Sequence, residues 1–325
     1  MIFHLVINSF FVFVLLAAVV ETSLFVFKIK NARTRYICRL LPILKIPVDL
    51  FVFGVFGESL FLNLNPFSCE IYLNNFITTL FNIPPGTPIP QYIASKLQPI
   101  YLNLFAISVV AISTLLFFHK CARLIASQIY LRKVLSLSIP CQRLISGQRI
   151  QTELQRLNGV VLTCDQVQIP FAAGCRTILL PTALMNSFSQ DEFEAVIAHE
   201  LEHLRWKDPI LRFISSIICS IFWWIPTGWW SKRLEADQEL ASDLGTPKYG
   251  IDACALGSAF LKAIHQERVA TLKSAAICPF VSPKSTHVKR LENMLNLNKP
   301  LKGHKLISAF GAAICCMAVL CFWMC

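Results

Sequence analysis

The sequence predicts a multi-pass α-helical membrane protein with a cytoplasmic α+β domain inserted between its third and fourth spans. Three observations lead there. The 325 residues are 55% hydrophobic with a mean hydropathy of +0.56, too apolar for a soluble chain with the usual balance of surface and core. The apolar residues gather near 2–27, 40–62, 101–118 and 306–324, each long enough for a helix of about 18–20 residues to cross the roughly 30 Å hydrocarbon layer. Between the third and fourth stretches lies a long basic segment of mixed pattern, 120–305, although composition alone would make its stretch 211–230 a fifth span.

Charge sets the orientation. Lys28, Lys30, Arg33, Arg35 and Arg39 fill the connection after the first stretch, whereas 63–98 holds only Lys96 and Glu70, so the first connection is cytoplasmic and the second is outside. The third span then returns the chain inside at Lys120, and the amino terminus lies outside. The predicted organisation is three spans over 1–119 with an outer loop at 63–98, a cytoplasmic domain over 120–305, and a final span over 306–325. A cleaved signal peptide fits the first stretch poorly, since no basic residue precedes its run and the run is too long. The net charge of +11 is explained by this bracketing and not by nucleic acid, because no aromatic stacking pattern is interleaved with it. The thirteen cysteines are scattered singly without a C-x-x-C pair and read as small buried apolar residues; Cys315, Cys316, Cys321 and Cys325 fit packing within the last span better than lipidation.

The outer loop, with its Asn-Pro and Pro-Pro-Gly signals, is expected to be irregular apart from a short helix around 71–82. In the cytoplasmic domain, helices are expected over 120–135 and 147–157. VVLTCDQVQIPFAAGCRTILLP, rich in β-branched residues and broken by Pro170, Gly174 and Pro181, predicts a small sheet of two or three strands. Ser189 and Glu192 form a Ser-x-x-Glu capping box, so a helix starts near 190 and runs past Leu204 until Asp208-Pro209 ends it. The apolar stretch 211–230 follows. A helical run over 232–245 ends at Gly245, a natural C-terminal cap, and an amphipathic helix is expected over 284–297.

His199-Glu200-Leu201-Glu202-His203 is H-E-x-x-H on a helix. Residues four apart share one face, so both imidazoles can hold one metal ion while Glu200 is aimed at the attacking water. A catalytic zinc site takes three protein donors, so a third must come from elsewhere. Glu239 is the strongest candidate because Asp243, one turn later on the same face, could accept the outer N–H of a ligating histidine; Glu235 and Asp237 compete within the same run. A complete crossing by 211–230 would put Glu239 across the bilayer from His199 and His203. The stretch must therefore be buried, re-entrant or a hairpin, with Pro226 and Gly228 as breakers.

These pieces together resemble the BlaR/MecR-type membrane metallopeptidases. The likeness rests on the order of spans, H-E-x-x-H followed by Asp208-Pro209, the Trp-rich stretch ending at Ile225-Pro226, Gln238-Glu239-Leu240-Ala241-Ser242-Asp243, and the upstream PFAAGCRTILLP, and it extends over most of the chain. The resemblance implies a gluzincin, zincin-like domain in which His199, His203 and Glu239 bind Zn2+, Glu200 is general base and then acid, and Asp243, with Asp208, orients the site. It also implies a zinc metalloendopeptidase of the cell membrane acting on a protein or peptide substrate, either a cytosolic repressor or the protein itself. The bilayer is the other partner, direct nucleic-acid binding is not expected, and a homodimer is compatible. The sequence carries no penicillin-binding domain after its fourth span, so β-lactam sensing is not carried over. His287 faintly resembles a histidine of the HtpX-type proteases but lacks their following proline, and reads as a surface residue. The alternatives are an HtpX-like quality-control protease and a non-enzymatic sensor or scaffold with a structural metal.

Overall fold

The computed structural model describes residues 2–47, 99–273 and 290–292. The outer-loop helix expected at 71–82, His287, the last span with its four cysteines, and most of the expected second span and of the 284–297 helix lie outside these residues. The chain divides into two compact units, Met1–Cys121 with Ser215–Leu234 and Gly303–Cys325, and Ala122–Ile214 with Glu235–Lys302.

In the first unit, α1 (Ile2–Val26) is apolar over Val12–Val26. Lys28 takes a left-handed turn at φ 46°, and Asn31 caps the next helix, α2 over 32–47, accepting hydrogen bonds from the Arg33 and Thr34 backbone N–H groups. The basic connection is therefore shorter than its charge pattern suggests, since Arg33, Arg35 and Arg39 lie within α2. Arg39 is buried, its guanidinium forming a two-point pair with Glu21 at 2.8 and 3.0 Å, and Arg233 reaches the same carboxylate at 2.8 Å. An acidic side chain in an apolar helix needs such partners. Trp230, fully buried, donates its indole N–H to the Arg39 carbonyl. Among the described residues one helix is long and apolar enough to cross a membrane, α3 (Pro99–Leu137), over Asn103–Leu137.

The second unit is built on a four-stranded sheet of order β1-β2-β4-β3, from β1 (Ile139–Pro140), β2 (Val160–Cys164), β3 (Phe171–Ala173) and β4 (Thr177–Pro181). β2 and β4 are parallel, with Val160 opposite Thr177, and β1 and β3 flank them antiparallel. The three strands from the β-branched segment match the patterning. β1 is an addition of two residues at the end of α3, with Pro140 tolerated because it sits on an edge. Alternation along β4 separates two cores. Ile178 and Leu180 face Phe193, Ile197 and Leu201, while Leu179 faces Val134, Cys164 and Ala173.

The helices lying wholly or partly in this unit are α4 (Gln148–Arg156), the single turn α5 (Thr182–Met185), α6 (Gln190–Arg205), α7 (Asp208–Ile221, of this unit as far as Ile214), α8 (Thr227–Gly245, of this unit from Glu235) and α9 (Ala253–Lys273). α6 starts on the capping box: Ser189 Oγ accepts from the Glu192 backbone N–H and Glu192 accepts in return from that of Ser189. The apolar stretch is two helices broken at Pro226. Arg212 near the start of α7 meets Glu239 near the end of α8 at 2.6 Å, so the chain doubles back as a hairpin.

α8 ends at Gly245, as its sequence predicts, but not through a left-handed residue. The φ of Gly245 is −81°, the chain continues into a 3-10 turn at Thr246–Tyr249, and the left-handed residue is Gly250 at φ 86°. Gly245 is required instead by close approach, because a Cβ there would stand 2.5 Å from Glu202 Oε2 and 2.7 Å from its Cγ. Glu202 cannot swing aside, being held by the Tyr249 hydroxyl at 2.8 Å and by Lys248.

Two expectations follow. Gly245→Ala should destabilise the second unit by about 1–3 kcal/mol, read as a lower melting temperature of the full chain. Burial alone would raise the pKa of Glu192, but Lys262, the Ser258 hydroxyl and the Ser189 N–H outweigh it and hold it at about 2, against an ordinary 4.5. A depressed folded-state pKa stabilises above the unfolded value and ceases to do so as the pH falls through the folded one. Melting temperature should therefore drop between pH 4.5 and about 2, and Glu192→Gln should lower it at neutral pH while flattening that acid limb.

Candidate metal centre

α6 carries His199 and His203 on one face, one turn apart and both buried. After Arg205 the chain reverses within two residues, with Lys207 in the left-handed region at φ 56°, and α7 opens on Asp208 followed by Pro209 in its first turn. This corner carries Asp208 back onto the preceding helix, where its Oδ2 lies 2.8 Å from His203 Nδ1. The Ser242 hydroxyl is a second neighbour of that nitrogen at 3.2 Å.

The hairpin brings in α8. Glu239 Oε2 stands 3.6 Å from His199 Nε2 and its Oε1 3.7 Å from His203 Nε2, while the two Nε2 atoms are 3.2 Å apart. The donor atoms of His199, His203 and Glu239 all lie within 4.8 Å of one another, and Glu239 is the member of the Glu235, Asp237 and Glu239 run that joins this group. Asp243 is fully buried, with Oδ1 3.0 Å from His199 Nδ1, an ion-pair distance without the alignment of a full hydrogen bond. Both imidazoles thus present Nε2 inward and have Nδ1 against a carboxylate, as oriented metal-binding histidines do. Glu200, beside His199, is buried, and among the described residues no side chain donates a hydrogen bond to it.

Two arginines complete the cluster, and neither was singled out from sequence. Arg212 donates to Glu239 at 2.6 Å and to Gln238 at 2.7 Å. Arg290 donates to both oxygens of Asp243 at 2.9 and 3.1 Å and makes an ion pair with Glu239 Oε2 at 2.9 Å. A signal for Arg212 was present, since a lone cation in an apolar run needs an acidic partner. Arg290 carried none, because in VKRLENML it reads as the solvated face of an amphipathic helix.

The electrostatics call for a cation. Burial disfavours charge on His199, yet Asp243 and Glu239, with Glu200 near them, outweigh it and push its pKa up to about 10. Burial would likewise raise Glu239 and Asp243, but Arg290 foremost, with the histidines, holds both below the usual carboxylate range. With both imidazoles neutral, as metal ligands are, Glu200, Asp208, Glu239 and Asp243 against Arg212 and Arg290 leave two negative charges, which one divalent cation would balance. The donor separations are of the right order: tetrahedral zinc with bonds near 2.0–2.1 Å spaces its donors by about 3.3 Å, against 3.2 Å between the two Nε2 atoms and 3.6 and 3.7 Å from them to the two oxygens of Glu239.

Comparison with known proteins points the same way. The family model described as BlaR1 peptidase M56 matches residues 76–285, which include every residue of the cluster except Arg290. The Regulatory protein BlaR1 of Bacillus licheniformis is 31% identical over 72 residues, covering 22% of this chain and 12% of that protein.

If Asp208 fixes the ring of His203, Asp208→Ala should weaken zinc binding by about 10–100-fold while the circular dichroism of the folded protein is retained. Competition with a chromophoric chelator would measure the loss.

Proposed function

The chain belongs to the BlaR1 peptidase M56 family, whose model it matches over well over half its length, and from that premise we propose a zinc metalloendopeptidase of the cell membrane that cuts proteins on the cytoplasmic side in regulated proteolysis. The observation that carries the reading is the inward convergence of His199 Nε2, His203 Nε2 and the Glu239 carboxylate, with both Nδ1 atoms against carboxylates. His199, His203 and Glu239 would hold Zn2+. The ion, when bound, supplies Lewis acidity that polarises the scissile carbonyl and acidifies the attacking water.

The remaining work falls to the protein's own groups. Glu200 accepts a proton from the attacking water and returns it to the leaving amine, a role suited to a carboxylate that no other side chain occupies. Asp208 and Asp243 keep the imidazoles in the tautomer that points Nε2 inward. β3 pairs with β4 along one edge, and Ala172 packs against the core that α6 shares, so an extended substrate segment could add along the outer edge of β3. A cytosolic repressor or the protein itself would be the substrate, in keeping with the regulatory name of the Bacillus relative.

The test is zinc content and proteolysis of detergent-solubilised protein. Wild type should hold one zinc and cleave. Glu200→Gln should keep the zinc and lose activity by at least about 100-fold, and Glu239→Ala should lose both. Zinc retained in Glu239→Ala would mean another third donor, and a wild type without zinc would end the metallopeptidase reading. Activity unchanged in Glu200→Gln would exclude the proton transfer assigned to it.

A further inference from the structure

We propose that Arg290 is a positioning residue through which the chain beyond α9 completes the metal centre, its single guanidinium bridging Glu239 and Asp243. The inference rests on the metal-site reading above and adds to it a dependence on a distant segment.

The geometry uses the whole guanidinium. Nε and Nη2 donate to the two oxygens of Asp243 at 3.1 and 2.9 Å, and Nη1 forms an ion pair with Glu239 Oε2 at 2.9 Å. The remaining oxygen of Glu239, Oε1, is taken by Arg212. Two arginines from different parts of the chain thus fix both oxygens of the third donor, and so its plane. Asp243 Oδ1 is shared between Arg290 Nη2 and His199 Nδ1, so Arg290 also sets the carboxylate that orients the first histidine. An ammonium could not reproduce this, being a point charge without the planar fork.

Arg290 is held in place from behind. Its guanidinium stacks over the Phe260 ring of α9 at 4.4 Å, and Leu291 lies over Gly257 one turn earlier on that helix. The side chain is 17% exposed and Asp243 is wholly buried, so the pair is far from a surface ion pair of negligible weight. Glu239 and Asp243 sit one helical turn apart, where like charges repel and splay apart unless a cation lies between them. Arg290 fills that position. A shift of the 290–292 turn on α9 would withdraw it and leave the donor set present but misaligned.

The experiment uses the full-length protein in detergent, comparing wild type with Arg290→Met and Arg290→Lys. Zinc affinity is measured by chelator competition, geometry by the visible spectrum of the Co2+-loaded protein, and folding by the melting temperature of the metal-free form. Expected is a loss of zinc affinity of about 10–100-fold in Arg290→Met with an altered Co2+ spectrum, and partial recovery in Arg290→Lys. Wild-type affinity and spectrum in Arg290→Met would overturn the proposal, as would a loss in both variants that merely tracks their unfolded fraction. A wild type that binds no metal would instead fail the reading on which the proposal rests.

Discussion

Glu239 and Asp243, two carboxylates one helical turn apart, are set against two buried imidazoles, and such an assembly is tenable only where positive charge offsets it. The local chain is arranged around that requirement. α6 must be immobile to present both histidines, and it is fixed at its start by the Ser189–Glu192 box, with Lys262 and Ser258 on the same carboxylate, and along its length by the Ile178 and Leu180 face of β4. α8 must return to meet it, and the break at Pro226 together with the Arg212–Glu239 contact provides the return. The left-handed Lys207 serves the same end, since it alone lets Asp208 fold back onto His203 five residues earlier.

What the sequence made legible was local. H-E-x-x-H, the capping box and the Glu239/Asp243 spacing are short-range patterns whose geometry follows from 3.6 residues per turn. The hairpin too was inferable as one of three options, because a single crossing would separate groups that one metal must join. Contacts over long separations were not legible. Arg212 and Glu239 are 27 residues apart and Arg290 and Asp243 are 47 apart, and nothing in either local pattern names the partner. Arg39 misled in the same way: counted as a free charge of a cytoplasmic connection, it is spent on Glu21 inside the first unit. Gly245 was legible as the helix end but not its cause, because a glycine there can serve backbone handedness or close approach, and only packing against Glu202 tells them apart.

The two glutamates of the motif show how packing supports the roles that spacing assigns. His199 and His203 share one face of α6, and at about 100° per residue Glu200 and Glu202 flank that face on opposite sides. The H-E-x-x-H pattern aims Glu200 at the attacking water, and the packing shows what Glu202 does instead. The 3-10 turn Thr246–Tyr249 closes over the Glu202 side, where Tyr249 and Lys248 bind its carboxylate and Gly245 leaves the backbone room to do so. A carboxylate so engaged is already committed to holding α6 against the turn. Glu200 has no such engagement among the described residues and adds its charge to the His199 surroundings instead. The distinction between a structural and a chemically available acid, two residues apart in one motif, therefore rests on a glycine and a tyrosine more than forty residues downstream.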